Sequence, residues 1–404
     1  MSKVNVIGNG IIGLCCAHSL LQRGIGVRVF GAPDASRAAT WGCAGHIAIE
    51  QRDPLASWSS ILSLPRNLYA FGGAASFPLG QADVWAPFAL KFLAAAQRKR
   101  FMAGREALSR LLQRATGSWH GRLASFSAQD LFDARGHLVC WDEPRSFALG
   151  TRTWKAKCPP FVKIGELRER DKSDLNSLGI SVDNAVRFDG SGQIVDLDQL
   201  RARLLDAIKA LGGEFVEMCV EPRDIGKLRG GITLIAAGWQ SHALMRQFGV
   251  DVPLISERGY HIEFEIGEEF PDIVPVVFES KSMIMTRFRK SLRFASFVEF
   301  GDGRAAPDPS KWRSLERKVE QLGFRLNQAR HWSGSRPTLP DYLPAIGKVP
   351  GSQSVFYAFG HQHLGLTLGS ITGDLMAGLI SGSAVPVNLA PYSLSRFSAQ
   401  STAG

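Results

Sequence analysis

The chain has 404 residues, of which 45% are hydrophobic and 21% are charged. This composition is typical of a globular protein with a large core and excludes a disordered or fibrous chain. The formal net charge is +10, but the basic residues are scattered and no nucleic-acid-binding motif accompanies them, so no nucleic-acid partner is expected.

The cysteines and the apolar segments indicate where the protein works. Six cysteines without a CxxC spacing argue against a disulfide framework or a metal site and favour a reducing compartment. The segment before the first predicted strand is too short for a signal peptide. The sequence contains no stretch of 18 uncharged apolar residues. We expect a cytoplasmic protein. The alternative is peripheral attachment to the inner face of the cell membrane, with which the amphipathic residues 54–122 and the basic balance are compatible.

The first predicted unit is a strand over residues 4–7, a helix over residues 12–23 and a strand over residues 27–30, with GxGxxG in the first turn. This βαβ pattern indicates a dinucleotide site. Gly8 makes the tight turn, Gly10 lets the backbone approach a pyrophosphate, and Gly13 lets the helix pack closely on the strand. The helix start at Ile11 and Ile12 directs its positive dipole at the phosphates. His18 on this helix is expected to face solvent.

One part of the usual dinucleotide site is missing. The acid that binds a ribose hydroxyl should follow the second strand, where this chain has Gly31. Either Asp34 reaches back, or backbone and water hold the ribose. NADP is not favoured, because no arginine stands at position 31 or beside it.

Further elements are predicted in the middle of the chain. Apolar residues at helical spacing indicate a helix over residues 196–211, with Asp196 and Gln199 at its start. Strands are predicted over residues 214–220 and 232–236. Residues 259–266, 274–278, 283–288 and 292–300 have the pattern of an antiparallel sheet, and residues 310–322 that of a surface helix.

Six blocks in this order resemble the FAD-dependent D-amino-acid oxidase superfamily, in particular bacterial D-amino-acid dehydrogenases and hydroxy-D-proline dehydrogenases. They are GxGxxG, the Ala44-Gly45 loop, the Ala236-Ala237-Gly238 turn, ERGYH at 257–261, RPTLPDYLPAIG at 336–347, and GHQHLGLT at 360–367. The resemblance covers nearly the whole chain. It implies an α/β fold in which a discontinuous Rossmann-type FAD-binding domain (1–50, 190–254 and 331–404) carries an inserted α+β substrate domain (51–189 and 255–330) built on an antiparallel sheet.

The resemblance also implies which residues contact FAD. Beside the glycines and isoleucines of the first turn, these are Thr40, Ala44, Gly45, His46, Val220, Ala237, Gly238, Trp239, Gly360, His361, Leu364, Gly365, Leu366 and Thr367. Trp239 is expected to pack on the adenosine side. Cys43 stands where relatives commonly have asparagine, and its thiol cannot replace the hydrogen bonds of an amide. No cysteine lies near Arg336, so FAD should be held noncovalently.

Three residues are candidates for handling the substrate. Arg336 would bind the substrate carboxylate, unless it is structural and pairs with Asp341. Tyr260 could bind the same carboxylate, with core packing as an equal alternative. His363 could line the substrate face and His361 could pack on the flavin; the alternative is that local backbone groups satisfy both histidines.

The expected reaction is oxidative deamination of a D-amino acid: a hydride passes from the α-carbon to flavin N5, and the imine hydrolyses to a keto acid and ammonia. The alternative is oxidation of a cyclic or N-substituted amino acid (hydroxy-D-proline, sarcosine, glycine or opine type), alone or in a complex. A flavin-binding subunit without its own activity, or a tRNA-modifying flavoprotein, remains a competing class. The sequence does not determine which amino acid is used, whether oxygen or a quinone accepts the electrons, or the oligomeric state.

Overall fold

The structure, a computed structural model, describes residues 3–34, 38–228 and 231–397. Its strands are β1 Val4–Ile7, β2 Val27–Gly31, β3 His46–Ile47, β4 Ala75–Ser76, β5 Phe132–Asp133, β6 His137–Cys140, β7 Lys163–Gly165, β8 Ala185–Asp189, β9 Gly192–Ile194, β10 Glu214–Glu217, β11 Thr233–Ile235, β12 Ile255–Glu265, β13 Val276–Phe278, β14 Met283–Arg287, β15 Ser291–Gly301, β16 Arg330–Thr338, β17 Ala345–Lys348 and β18 Val355–Phe359. The α-helices are α1 Ile11–Leu21, α2 Trp58–Asn67, α3 Ala82–Ala95, α4 Arg98–Ala124, α5 Pro144–Lys157, α6 Glu169–Ser177, α7 Leu197–Ala210, α8 Ser241–Met245, α9 Pro309–Glu320 and α10 Gly365–Ser381.

A six-stranded sheet in the order β10-β2-β1-β11-β18-β17 forms the first layer. Its first five strands run parallel, and β17 pairs antiparallel with β18. β1 is buried along its whole length, as expected for an apolar strand covered on both faces. The predicted Rossmann-type layer is confirmed, and it brings the first turn beside the end of β11.

The larger sheet has the order β16-β12-β15-β14-β13-β6-β8-β7, with β4 paired to β15. Most pairs are antiparallel, as predicted, but β13 runs parallel to β6 and β4 parallel to β15. β16 belongs to this sheet because it pairs with β12 over its full length. The domain boundary expected at residue 331 therefore lies within a strand of the larger sheet, and the division into domains stays a prediction.

The predicted elements in the middle of the chain agree with the structure except at their ends. The Asp196 carboxylate accepts a hydrogen bond from Gln199 N (2.9 Å) and begins α7, as its position at an N-cap requires. The strand predicted over 214–220 ends at Glu217, because Met218 N donates to Val216 O in a local turn. Residues 54–122 contain α2, α3 and all but the last two residues of α4.

Arg122 joins three helices in the core behind the sheet. Its guanidinium donates to Ser19 Oγ and Asp374 Oδ1 (2.8 and 2.7 Å) and lies 3.0 Å from His18 Nδ1. The expectation that His18 faces solvent is wrong, since its side chain is 1% exposed. The reason is that α1 packs against both α7 and α10, so it has no solvent face along its middle turns.

One helix in the described residues, Gln362–Ser381, is long and apolar enough to cross a membrane, and 72% of its apolar window is buried inside the protein. Burial of this kind is what a core helix requires. The helix packs against α1 and α4 and directs its N-terminus to the site described next.

Candidate active site and cofactor cradle

The first turn forms an open cradle at the N-terminus of α1. A Cβ on Gly8 (φ +120°) would lie 2.3 Å from Ala236 O, and one on Gly13 would lie 1.9 Å from Gly8 O. A Cβ on Gly10 would meet no atom of the described residues within 4 Å. Within these residues no side chain caps α1. The free backbone N–H groups and the space at Gly10 fit a pyrophosphate.

The Asn9 side chain fills the space that the side chain of a ribose-binding acid at position 31 would need. A Cβ on Gly31 would lie 2.2 Å from Asn9 Cγ, and Asn9 Nδ2 donates to Ala32 O (2.8 Å). Asp34 is exposed at the edge of this place. Whether Asp34 or backbone groups hold the ribose stays a prediction.

The Ala237-Gly238 turn lies beside the same cradle. Gly238 has φ +57° and open space around it among the described residues, and Ala237 packs in the cluster that contains Val220 and Phe30. The Trp239 indole lies under Gly303, where a Cβ would approach it to 2.8 Å, and beside His242. Trp239 therefore packs against a loop of the larger sheet.

The loop containing Thr40, Ala44 and Gly45 is fastened to the larger sheet. His261 Nδ1 lies 2.8 Å from Gly42 O, and the Trp332 ring occupies the place of a Cβ on Gly42. Arg293 Nη1 donates to Cys43 O (2.5 Å). Cys43 Sγ accepts from Gly45 N (3.4 Å), and burial raises the pKa of its thiol. The loop is held largely through its backbone oxygens, and the Cys43 thiol accepts a hydrogen bond from Gly45 N within the loop.

His46 lies beside Glu50 and His137. His46 Nε2 is 3.2 Å from Glu50 Oε1, and the His46 and His137 rings meet edge to face at 4.6 Å. Burial opposes ionisation of Glu50, but the two histidines hold its pKa at about 2; burial lowers the pKa of His137 to about 3. The donor atoms of the three side chains lie within 4.8 Å of one another. They could hold a metal ion, whereas the sequence predicts no metal site.

Arg336 projects from β16 over the backbone of β12. A Cβ on Gly259 would lie 2.2 Å from its Nη2, and its Nη1 lies 3.4 Å from Glu257 Oε1. The alternative pairing with Asp341 is wrong, because Asp341 pairs with Arg396 (2.6 Å). The Arg336 side chain remains 25% exposed, so it is not closed off from a ligand.

Glu257 is the buried partner of Arg336. It is 1% exposed and accepts hydrogen bonds from Thr338 Oγ1 (2.9 Å) and the Tyr342 hydroxyl (3.0 Å). Burial and then Glu257 raise the pKa of Tyr342 well above its ordinary value, so the hydroxyl stays a donor. Glu257 holds Arg336 in place while its own charge is satisfied.

The turn before α10 carries His361 and His363. His361 Nε2 lies 3.0 Å from Thr372 Oγ1, and burial lowers its pKa to about 3. His363 Nε2 is buried without a partner in the described ranges. Burial lowers the pKa of His363, with Glu257 opposing the shift and Arg336 adding to it. Both imidazoles are therefore neutral, and local backbone groups leave His363 Nε2 unsatisfied.

Residues 364–367 comprise Leu364, which precedes α10, and the first three residues of the helix. Leu364, Leu366 and Thr367 are buried, and Thr367 Oγ1 accepts from Ala48 N (3.0 Å), which ties this helix end to the loop after His46. Gly360 turns the chain with φ +77°. No side chain of the described residues caps the helix, so its N–H groups at Gly365 and beyond can stabilise an anionic group.

The structure does not bring Tyr260 to the same place. Its hydroxyl donates to Glu299 Oε2 (3.1 Å) and accepts from Asp308 N (3.0 Å), and its ring packs on Trp312. Successive strand side chains point to opposite faces, so Tyr260 lies behind the sheet while Arg336 lies before it. Tyr260 therefore packs in the core, as the alternative prediction has it. This geometry contradicts a contact between Tyr260 and the substrate carboxylate.

Several residues of the site were not predicted: Glu50, His137, Glu257, His261 and Tyr342. Glu257 and His261 stand in the ERGYH block itself, and Tyr342 in the RPTLPDYLPAIG block, so their motifs were a usable signal. His137 had none, because its strand lies far from every motif in the chain.

Comparison with known proteins gives consistent matches. A family model described as "FAD dependent oxidoreductase" (DAO) matches residues 3–379. A D-amino-acid oxidase of Bradyrhizobium diazoefficiens is 28% identical, over 98% of each chain. D-amino acid dehydrogenase 2 of Ralstonia nicotianae is 24% identical, over 98% of this chain and all of the other. The crystal structure of L-proline dehydrogenase from P. horikoshii superposes with a TM-score of 0.70 at 16% identity, over 98% of this chain and 97% of the other.

Proposed function

The chain belongs to the DAO family of FAD-dependent oxidoreductases, and from this premise we propose that it oxidatively deaminates a D-amino acid. It is a flavin enzyme that oxidises an amino acid. The names of the curated relatives support the D configuration, whereas the likeness to L-proline dehydrogenase supports the fold alone.

The observation that carries the proposal is the half-paired guanidinium of Arg336. Glu257 engages Nη1 at 3.4 Å, a long contact, and the side chain is 25% exposed. A substrate carboxylate binds the open edge of this guanidinium, the geometry that arginine offers best. Because Arg336 and Glu257 cancel in charge, the pocket suits a substrate that is itself zwitterionic.

The residues of the cradle fit FAD. The space at Gly10 and the uncapped N–H groups of Ile11 and Ile12 would hold the pyrophosphate, noncovalently. The start of α10 would hold the pyrimidine end of the flavin, where a positive helix end favours negative charge. Bound there, FAD would supply the acceptor for the hydride that leaves the α-carbon of the substrate.

The chain's own residues orient the substrate and its protons. Arg336 positions the carboxylate, and Glu257, Thr338 and Tyr342 position Arg336. His363, neutral and with Nε2 unpaired, can accept a hydrogen bond from the substrate amine. A dedicated base is not required when the amine is deprotonated before hydride transfer. Water then hydrolyses the released imine to the keto acid and ammonia.

The second candidate is oxidation of a cyclic or N-substituted amino acid. The same guanidinium would bind the carboxylate of either substrate class, so the contacts described here do not separate them. The electron acceptor is a quinone or oxygen under both proposals.

An anaerobic screen of the yellow holoenzyme tests the proposed function. We expect D-amino acids to bleach the visible flavin band and their L-enantiomers to leave it unchanged. Bleaching by N-methyl or cyclic amino acids alone would favour the second candidate. If no amine or amino acid reduces the flavin, both proposals are wrong. Readmitting oxygen or adding a quinone analogue then identifies the acceptor.

A further inference from the structure

We propose that one face of the protein, built from α2, the end of α3 and the start of α4, binds the surface of an anionic phospholipid bilayer. This docking face consists of Leu55, Trp58, Leu62, Leu90, Leu93 and Met102. The inference goes beyond the proposed function and does not depend on which amino acid is oxidised.

Exposed apolar side chains are concentrated in this part of the chain. Of the eleven large hydrophobic residues exposed within the described ranges, nine lie between residues 55 and 102. Leu62 is 77% exposed and Trp58 is 54% exposed. Single exposed hydrophobic residues are ordinary, but a cluster of this kind marks an interaction site.

Packing beneath the face brings its members together. Ala56 and Ala95 are buried in one cluster with Tyr342, which places the residues before α2 against the end of α3. A Cβ on Gly104 would lie 3.4 Å from Pro54, and Arg105 pairs with Asp53 (2.8 Å). The start of α4 therefore adjoins the same residues. These contacts bring the residues before α2, the end of α3 and the start of α4 together, and the exposed side chains of the docking face stand on or beside these three segments.

The helix α2 is only partly covered by the rest of the described chain. None of its ten residues is buried, although Ile61, Leu62 and Leu64 are apolar. A short helix with an apolar stripe is stabilised by the interface of a bilayer, where that stripe enters the acyl boundary. Trp58 at its start suits the same interface, because indole rings concentrate at the headgroup level.

The charge around the face selects an anionic partner. Residues 53–105 contain six basic side chains and two acids, Asp53 and Asp83, and Asp53 pairs with Arg105. Lys91, Arg98, Lys99 and Arg100 are exposed. A second copy of the chain would bring two basic faces together, which repel each other. Anionic lipid headgroups attract juxtaposed Lys and Arg side chains while the apolar residues enter the bilayer.

The face also adjoins the candidate active site. Tyr342, whose hydroxyl binds Glu257, has its ring 5.9 Å from that of Phe92 in α3. A bilayer bound at this face would lie on the side of the protein that carries Tyr342, which helps to position Arg336 through Glu257. An apolar electron acceptor dissolved in the bilayer would then reach the protein near its site.

Co-sedimentation of the holoenzyme with vesicles tests the inference. We expect binding to phosphatidylcholine vesicles that contain phosphatidylglycerol and much weaker binding to pure phosphatidylcholine. The double variant Trp58→Ser with Leu62→Ser should bind the anionic vesicles at least about tenfold more weakly, because it loses two inserted side chains. Its matched control is Leu149→Ser with Leu211→Ser, the two exposed leucines elsewhere in the described residues, which should bind as the unaltered enzyme does.

A second pair of variants tests the charge. Replacing Arg98, Lys99 and Arg100 by glutamine should weaken binding by about tenfold or more and reduce its salt dependence. The same replacement at Arg145, Arg152 and Lys155, exposed on α5, should change binding little. Anaerobic flavin bleaching should be unaltered in all four variants, which shows that each is folded.

Absence of binding to anionic vesicles at low ionic strength would overturn the inference. Equal loss of binding in the variants and their controls would do the same, since it would assign the effect to net charge or general hydrophobicity. A change in oligomeric state of the Trp58/Leu62 variant without any lipid binding would show that a second copy covers the face instead. None of these outcomes affects the bleaching screen, so the proposed function is tested separately from lipid binding.

Discussion

At the scale of single residues, the pair formed by Arg336 and Glu257 determines what the site can recognise. We predict that Arg336→Gln raises the substrate concentration for half-maximal flavin reduction about 100-fold, the loss of a charge-assisted contact of about 2–3 kcal/mol. An amine without a carboxylate should reduce the flavin of the variant and that of the unaltered enzyme equally. Rapid-mixing measurements of flavin bleaching check both.

The control for this prediction is Arg313→Gln, an exposed change on α9 that should leave the same concentration unaltered. If the Arg336 variant keeps its affinity for the amino acid, the guanidinium does not bind the carboxylate.

For Tyr260 we predict the opposite pattern, a loss of stability without a loss of substrate affinity. Tyr260→Phe removes a hydrogen bond to Glu299 and one from Asp308 N, so the free energy of unfolding should fall by about 1–2 kcal/mol. Substrate affinity should not change, because the hydroxyl lies behind the sheet. Urea denaturation and flavin bleaching measure the two quantities; a large loss of affinity with unaltered stability would place Tyr260 in the site after all.

Arg336 and Tyr260 show how much of the candidate site could be predicted from the sequence. Both stand in blocks that the resemblance assigns to the substrate side, and the residue types suit a carboxylate equally. Only the register of β12 against β15 and β16, with its irregularity between Arg258 and Tyr260, decides which face each side chain takes. That register arises from pairing between distant strands, which a linear pattern does not contain.

At the scale of elements, the turn between β1 and α1 contains one glycine that folding requires and another that cofactor binding requires. We predict that Gly13→Ala destabilises the protein, because its Cβ would lie 1.9 Å from Gly8 O, a backbone atom. Gly10→Ala should leave the apoprotein's stability within about 1 kcal/mol, since its Cβ enters open space. The same Cβ should weaken FAD binding about tenfold or more, because it stands where a pyrophosphate would approach.

Titration of apoprotein with FAD, followed by quenching of flavin fluorescence, measures the Gly10 effect, and thermal unfolding measures the Gly13 effect. A Gly10→Ala protein that binds FAD as tightly as the unaltered chain would contradict the assignment of this space to the phosphates.

Elements with local signals were predicted well, and elements set by long-range pairing less so. The capped helix α7 and the glycine-rich start of α1 carry their boundaries in their own residues. The placement of β16 in the larger sheet depends on β12, some seventy residues earlier in the chain, and could not be read locally. The burial of His18 has the same cause, because α7 and α10, which lie far from α1 in the sequence, pack against this helix.

At the scale of the whole molecule, His18 and Arg122 make stability depend on pH. Burial, and then the nearby Arg122 guanidinium, lower the pKa of His18 to about 4 from an ordinary value of 6.5. In the pH interval between these values the unfolded chain binds a proton that the folded chain does not. The contribution of neutral His18 is therefore complete above pH 6.5 and is lost as pH falls from 6.5 toward 4.

We predict that the free energy of unfolding falls between pH 7 and pH 5 by about 1–2 kcal/mol more in the unaltered protein than in His18→Gln. Glutamine retains an acceptor for Arg122 but does not titrate. Urea denaturation of the FAD-saturated proteins at both pH values gives the two differences. Equal losses would show that His18 is already protonated, or exposed, in the folded state.

The order of strands in the six-stranded sheet has a consequence for how the protein acquires its flavin during biosynthesis. The phosphate cradle lies between β1 and α1, whereas β17, β18 and α10 follow in the chain only after every strand of the larger sheet. The nucleotide pocket therefore stays incomplete until these late elements have been synthesised and have packed against β11 and α1. We expect FAD to bind only after α10 has docked, and the incomplete Rossmann layer to be prone to aggregation until then.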